Sequence, residues 1–166
     1  MSKDIFVALI DSGCRFETHE KVAVNVKDGK TEIVNQGDVK YRHGDVIGKI
    51  IASNENIKLH DIQVFDKDLR TTPLHIIGAL EYLKDKKVDV INMSLGLKTN
   101  YKEIEDLCNY FTSKGVTIIS SFPRSGAEFV FPASYDEVIS VTSDGKCQVN
   151  EISCINSNKS LFGANP

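Results

Sequence analysis

The chain has 166 residues, 41% of them apolar and 26% charged, with a formal net charge of -3. That length carries one domain with a buried core. The slight acidity, with no basic run interleaved with aromatics, gives no nucleic-acid or anionic-membrane partner. Cys14, Cys108, Cys147 and Cys154 are too sparse for a disulfide framework, and no CxxC pair or close zinc-ligand spacing occurs. They read as reduced thiols, although Cys147 and Cys154 fall where neighbouring strands would pair them. No apolar stretch approaches the roughly 20 residues that span a bilayer. No signal peptide or pro-domain precedes the first apolar run, which sets the expectation of a cytoplasmic protein.

In chain order, IFVALI (5–10) predicts a strand buried on both faces. KVAVNV and KTEIVN flank Asp28-Gly29 and predict a β-hairpin. HGDVIGKIIAS predicts a helix with Ile47, Ile50 and Ile51 on one face. KLHDIQVF is the next strand. TTPLHIIGALEYLKDKK is the clearest helix, with Thr72 as its cap, Pro73 in its first position and its lysines complementing the C-terminal dipole. VDVINMSL predicts a buried strand. YKEIEDLCNYFTSKG predicts an amphipathic helix with Ile104, Leu107, Cys108 and Phe111 inward, stopped by Gly115. VTIISS and EVISVTS predict two more strands, separated by a loop carrying Pro123, Gly126 and Pro132. The alternation of strands and helices is that of an α/β fold with a parallel sheet.

Three short segments carry chemistry. Asp11 follows an apolar strand directly, at the carboxyl end where parallel sheets gather functional groups. A carboxylate there orients an imidazole; Asp-Ser-Gly is equally ordinary turn chemistry. His43 precedes Gly44 at a helix start, which suits a fixed base with a close backbone approach, or a plain surface histidine. Ser94, Leu95 and Gly96 end a strand as an edge to which an extended peptide could add, or as a simple turn. His19, His60 and His75 carry no motif, and His75 reads as structural.

Taken together, strand-Asp-Ser-Gly, His-Gly opening a helix, and VINMSLG after a long helix resemble the subtilase family (subtilisin-like serine proteases, peptidase S8). GVTIISSFPRSG is similar to that family's strand and oxyanion loop, FPASYDEVISVTS to its "YPA…VIAV" segment, and SLFGANP to its "APG" stretch. The resemblance implies a three-layer α/β fold with a mainly parallel central sheet, as a single domain over residues 1–166 that lacks the family's C-terminal segment. It implies Asp11 and His43 as triad members of a serine endopeptidase, and Ser94–Gly96 as the edge bordering the substrate's specificity pocket. A peptide or protein is then the substrate.

The sequence also departs from the pattern. The nucleophilic serine of a "GTS" motif is not among these 166 residues, and Ser157 and Ser160 do not stand in such a motif. Arg124 occupies the oxyanion asparagine's position, after Pro123 in place of a glycine. HGDVIGK puts Lys49 where the family has a glycine, and Lys21 falls near a family calcium position, so no metal or cofactor is expected. Arg124 and Pro123 favour an inactive, peptide- or partner-binding relative, whereas the retained Asp11 and His43 favour a peptidase. The uncovered core that a missing segment leaves sets the expectation of a homodimer or a complementing chain. A nucleotide-binding domain is disfavoured, because no glycine-rich phosphate loop follows any strand.

Overall fold

The computed structural model describes residues 3–124 and 129–165. The chain forms two compact units, Met1–Asn92 and Met93–Pro166. The first contains β1 (Ile5–Asp11), β2 (Glu20–Lys27), β3 (Lys30–Asn35), α1 (His43–Ile51), β4 (Ile57–Gln63) and α2 (Pro73–Leu83). Its strands lie in the order β3-β2-β4-β1. β1 and β2 both run parallel to β4, and β2 and β3 form an antiparallel hairpin. The hairpin turns at Asp28 and Gly29, both with positive φ, which matches the right-handed twist of the flanking strands.

β5 (Val90–Met93) lies at the division of the chain. The second unit continues with α3 (Lys102–Ser113), β6 (Thr117–Ser121), β7 (Ile139–Ser143), β8 (Ile152–Asn156) and β9 (Leu161–Ala164), its strands in the order β6-β7-β9-β8. β6, β7 and β9 are parallel, and β8 is antiparallel to β9. α3 buries Ile104, Leu107, Cys108 and Phe111, the stripe its sequence spacing sets, and Gly115 with φ +82° follows its end.

In the first unit Val7, Leu9, Cys14 and Leu59 form a buried cluster, against which Ile47 and Ile51 of α1 pack. Ile50 does not join them. It is 65% exposed, because it lies roughly 60° around the helix from Ile47 on the side away from the cluster. α2 differs from expectation at both ends. Thr72 makes no capping bond to the backbone; its hydroxyl pairs with His75 Nδ1 at 2.8 Å. The helix stops at Leu83, and Lys86 beyond it binds Glu20 instead of the helix terminus. β8 and β9 were not expected. β8 is largely exposed and lacks a clean alternation of buried and exposed positions, so no apolar period marks it. All four cysteines are free thiols, as expected.

Glu20 ties β2 to the chain beyond α2. It accepts from Lys86 Nζ at 2.6 Å, Tyr82 Oη at 2.7 Å and His60 Nδ1 at 2.8 Å. Burial alone would push its carboxyl up, but these hydrogen bonds outweigh it and hold the group at about 2. A carboxylate depressed by folding stabilises above its unfolded value and loses that contribution as pH falls through its folded value. Stability is therefore expected to drop between pH 4.5 and about 2, and Glu20→Gln to flatten that part of the profile in urea melts. An unchanged slope in the variant would refute the assignment.

Candidate active site

The end of β1 places Asp11 in the interior, 1% exposed, with Ser12 beside it at 3%. α1 starts at His43, after Arg42, which offers no side-chain cap. His43 Nδ1 donates to the Asp11 carboxylate, at 2.9 Å from Oδ1 and 3.0 Å from Oδ2. Ser12 N–H also donates to Asp11 Oδ1, at 2.6 Å. The carboxylate is thereby fixed from two sides, while the imidazole remains 56% exposed. A buried acceptor on Nδ1 selects the tautomer in which Nε2 carries a lone pair, the form that serves as a general base. The family resemblance implied this pair, and the structure brings the two side chains together.

The helix start is locked onto the turn after Asp11. Gly44 N–H donates to Ser12 Oγ at 3.0 Å, and Cys14 Sγ lies 3.4 Å from Gly44 O. A Cβ on Gly44 would sit 2.8 Å from Gly13 O and 2.9 Å from Gly13 N. Only glycine permits that approach. Gly13 itself has φ +93°, in the region that favours glycine. Ser12 is spent on this contact, and burial followed by the neighbouring Asp61 pushes the Cys14 thiol far up. A thiol held protonated is a poor nucleophile.

Two further carboxylates border this site. Asp45, 4% exposed, accepts from Arg15 N–H at 2.9 Å and from Lys49 Nζ at 3.0 Å. The hydrogen bond from Arg15 and then that from Lys49 hold its carboxyl below the usual range. Lys49, a departure from the family pattern, thus has a local partner. Asp61, fully buried in β4, accepts from Cys14 N–H and Gln36. Half of KLHDIQVF is polar, with Lys58, His60 and Gln63 around it, so nothing local in the sequence marks Asp61.

The remaining predicted residues belong to the second unit. β5 ends at Met93, and Ser94–Gly96 continue from it. Leu95 is buried, and its carbonyl lies 3.5 Å from the hydroxyls of Ser120 and Ser121 at the end of β6. Beyond exposed Gly96, Leu97 pairs with Phe131 through two backbone bonds, at 2.8 and 2.9 Å. Arg124 is exposed, three residues past β6, and its guanidinium faces Gly145. Gly126, in the same expected loop, lies outside the described residues. Among the described residues no cluster of three or more metal-ligating side chains occurs, and no helix is long and apolar enough to cross a membrane.

The subtilase family, peptidase S8, matches this chain over residues 2–164. The chain is similar to the thermophilic serine proteinase of Bacillus sp. (strain AK1), with 28% identity over 149 residues, 81% of this chain and 37% of that protein. It is similar to the major intracellular serine protease of Bacillus subtilis (strain 168), with 26% identity covering 85% of this chain and 51% of that protein. Among solved structures, the S41 psychrophilic protease superposes with a TM-score of 0.66 at 21% identity, covering 85% of this chain and 53% of the other. A psychrophilic subtilisin-like protease, Apa1, from Pseudoalteromonas sp. AS-11 gives 0.65 at 21%, covering 87% and 37%. The fold is thus the subtilisin-like, three-layer α/β type with mainly parallel strands. The chain spans 37% and 51% of the length of the two curated relatives.

Proposed function

The chain belongs to the subtilase family, and from that premise we propose that it is the acid–base part of a serine endopeptidase domain, with Asp11 and His43 as triad members. The observation that carries this reading is the Asp11–His43 hydrogen bond, made by a buried carboxylate to a half-exposed ring. In the reaction, a serine Oγ attacks the peptide carbonyl and gives its proton to His43 Nε2. The resulting imidazolium, held by Asp11, returns that proton to the leaving amine; water then resolves the acyl-enzyme by the same relay. The nucleophile is a serine that these 166 residues do not supply. Ser94–Gly96 is the edge that receives the substrate backbone, and Arg124 stands at the oxyanion position. The substrate is a peptide or protein, and the likeness to an intracellular serine protease supports a cytoplasmic location. Val46 and Ile50, exposed on α1, support a covering segment, a homodimer or a complementing chain.

A second reading is an inactive, peptide- or partner-binding relative, favoured by Arg124. Loss of an oxyanion donor costs about 10² to 10³ in turnover, and arginine's long planar fork approaches differently from an asparagine amide. The two separate in a casein-hydrolysis assay on the protein as its native cell produces it. The peptidase reading expects cleavage that disappears in His43→Ala, and none from residues 1–166 alone. Absence of cleavage together with retained peptide binding would favour the second reading, and cleavage that survives His43→Ala would refute both.

A further inference from the structure

The turn from Ser12 to Arg15 determines where Asp11 and the start of α1 meet, and its backbone is gripped by carboxylates. Ser12 N–H goes to Asp11, Cys14 N–H to Asp61 and Arg15 N–H to Asp45. The three acceptors have different origins. Asp11 is one half of the candidate pair, and Asp45 lies on the same helix as the other half, two residues from His43. Asp61 alone belongs to neither. It comes up from β4, where it stands opposite Leu9 of β1 and Lys21 of β2, and is 0% exposed. Its Oδ2 accepts from Cys14 N–H at 2.8 Å and from Gln36 Nε2 at 2.7 Å.

On the reading of Asp11 and His43 given above, we propose that Asp61 is a positioning residue for that pair, acting through the backbone N–H of Cys14. The path is short and continuous. Asp61 holds Cys14; Cys14 and Gly13 form the surface against which Gly44 packs; Gly44 is bonded to His43 and anchored to Ser12. Without Asp61, Cys14 N–H loses its acceptor in the interior, and a buried donor left unmet forces the backbone to seek another. The turn then shifts under Gly44, and His43 Nδ1 leaves the Asp11 carboxylate. An apolar residue would suit the site better for packing alone, because burial pushes the Asp61 carboxyl up against the opposing pull of Gln36, Cys14 and Lys21. A carboxylate is therefore a costly choice for β4, and its hydrogen bond to the turn is what it supplies in return.

The tautomer of His43 reads this directly and needs no nucleophile. Ring ¹⁵N shifts distinguish Nδ1–H from Nε2–H at a pH where the imidazole is neutral. In residues 1–166 the Nδ1–H form is expected to dominate, and Asp11→Asn to abolish it. Asp61→Ala is expected to abolish it too while the melting temperature still marks a folded protein. Asp61→Asn, which retains an oxygen for Cys14 N–H, is expected to restore it. If Asp61→Ala does not fold, Asp61→Val removes the same acceptor while suiting a strand. An unchanged tautomer in the folded Asp61→Ala or Asp61→Val protein, with Asp11→Asn still effective, overturns the role of Asp61 alone. A tautomer insensitive to Asp11→Asn overturns the underlying pair as well.

Discussion

Asp11→Asn is expected to slow serine-directed acyl transfer by about 10⁴ while leaving the fold intact. The reason lies in which oxygen is already committed. Oδ1 accepts Ser12 N–H at 2.6 Å, so an asparagine is held with its oxygen there and its amide nitrogen in the place of Oδ2. That place is 3.0 Å from His43 Nδ1, so the amide faces the ring with a donor. The neutral oxygen left at Oδ1, 2.9 Å away and already taken by Ser12 N–H, holds Nδ1–H far more weakly than a carboxylate does. His43 then turns its lone pair to Nδ1 and its proton to Nε2, and the base facing the nucleophile disappears. Single-turnover acylation of the native protein, with a melting curve on the same sample, separates this from unfolding. A loss of less than about tenfold, against the ~10⁴ expected for a wrong tautomer, would mean that Asp11 does not orient the base.

Gly44→Ala is the second large effect, and it acts on stability and site together. Its methyl group would meet the backbone N and O of Gly13 within 2.9 Å and Asp11 Oδ1 at 3.1 Å. Backbone atoms cannot rotate aside as a flexible side chain can, so α1 must lift from the turn. Overpacking of this kind costs about 1–3 kcal/mol, and here the displaced element carries His43. Urea denaturation should show the loss of stability, and acylation should fall in parallel. A variant as stable as the parent, with the His43 contact retained, would mean that the turn gives way more easily than its hydrogen bonds imply.

Much of this was legible in the sequence, for identifiable reasons. IFVALID announces a strand and then a carboxylate because an apolar run and a turn signal are both local. The His43–Gly44 helix start and the inward stripe of α3 are local as well. What escaped was either non-local or short of pattern. Ile50 fits a helical spacing, but which side faces the core depends on β1 and β4. Thr72 had the residue type of a cap, yet its hydroxyl found His75. β8 carries exposed Ile152 and Ile155 and so resembles no half-buried strand. Asp45 stands in the first turn of α1, and only the folded turn after Asp11 shows it holding Arg15 N–H. Asp61 stands among Lys58, His60 and Gln63, so no local pattern marks it, and its partner Cys14 lies 47 residues away.

The most direct test of the central claim is labelling of the native protein with a fluorophosphonate, followed by mass-spectrometric mapping of the modified residue. The account predicts one labelled serine that is not among residues 1–166, with labelling lost in His43→Ala. No labelling, labelling indifferent to His43→Ala, or a label on a serine within these residues would contradict it.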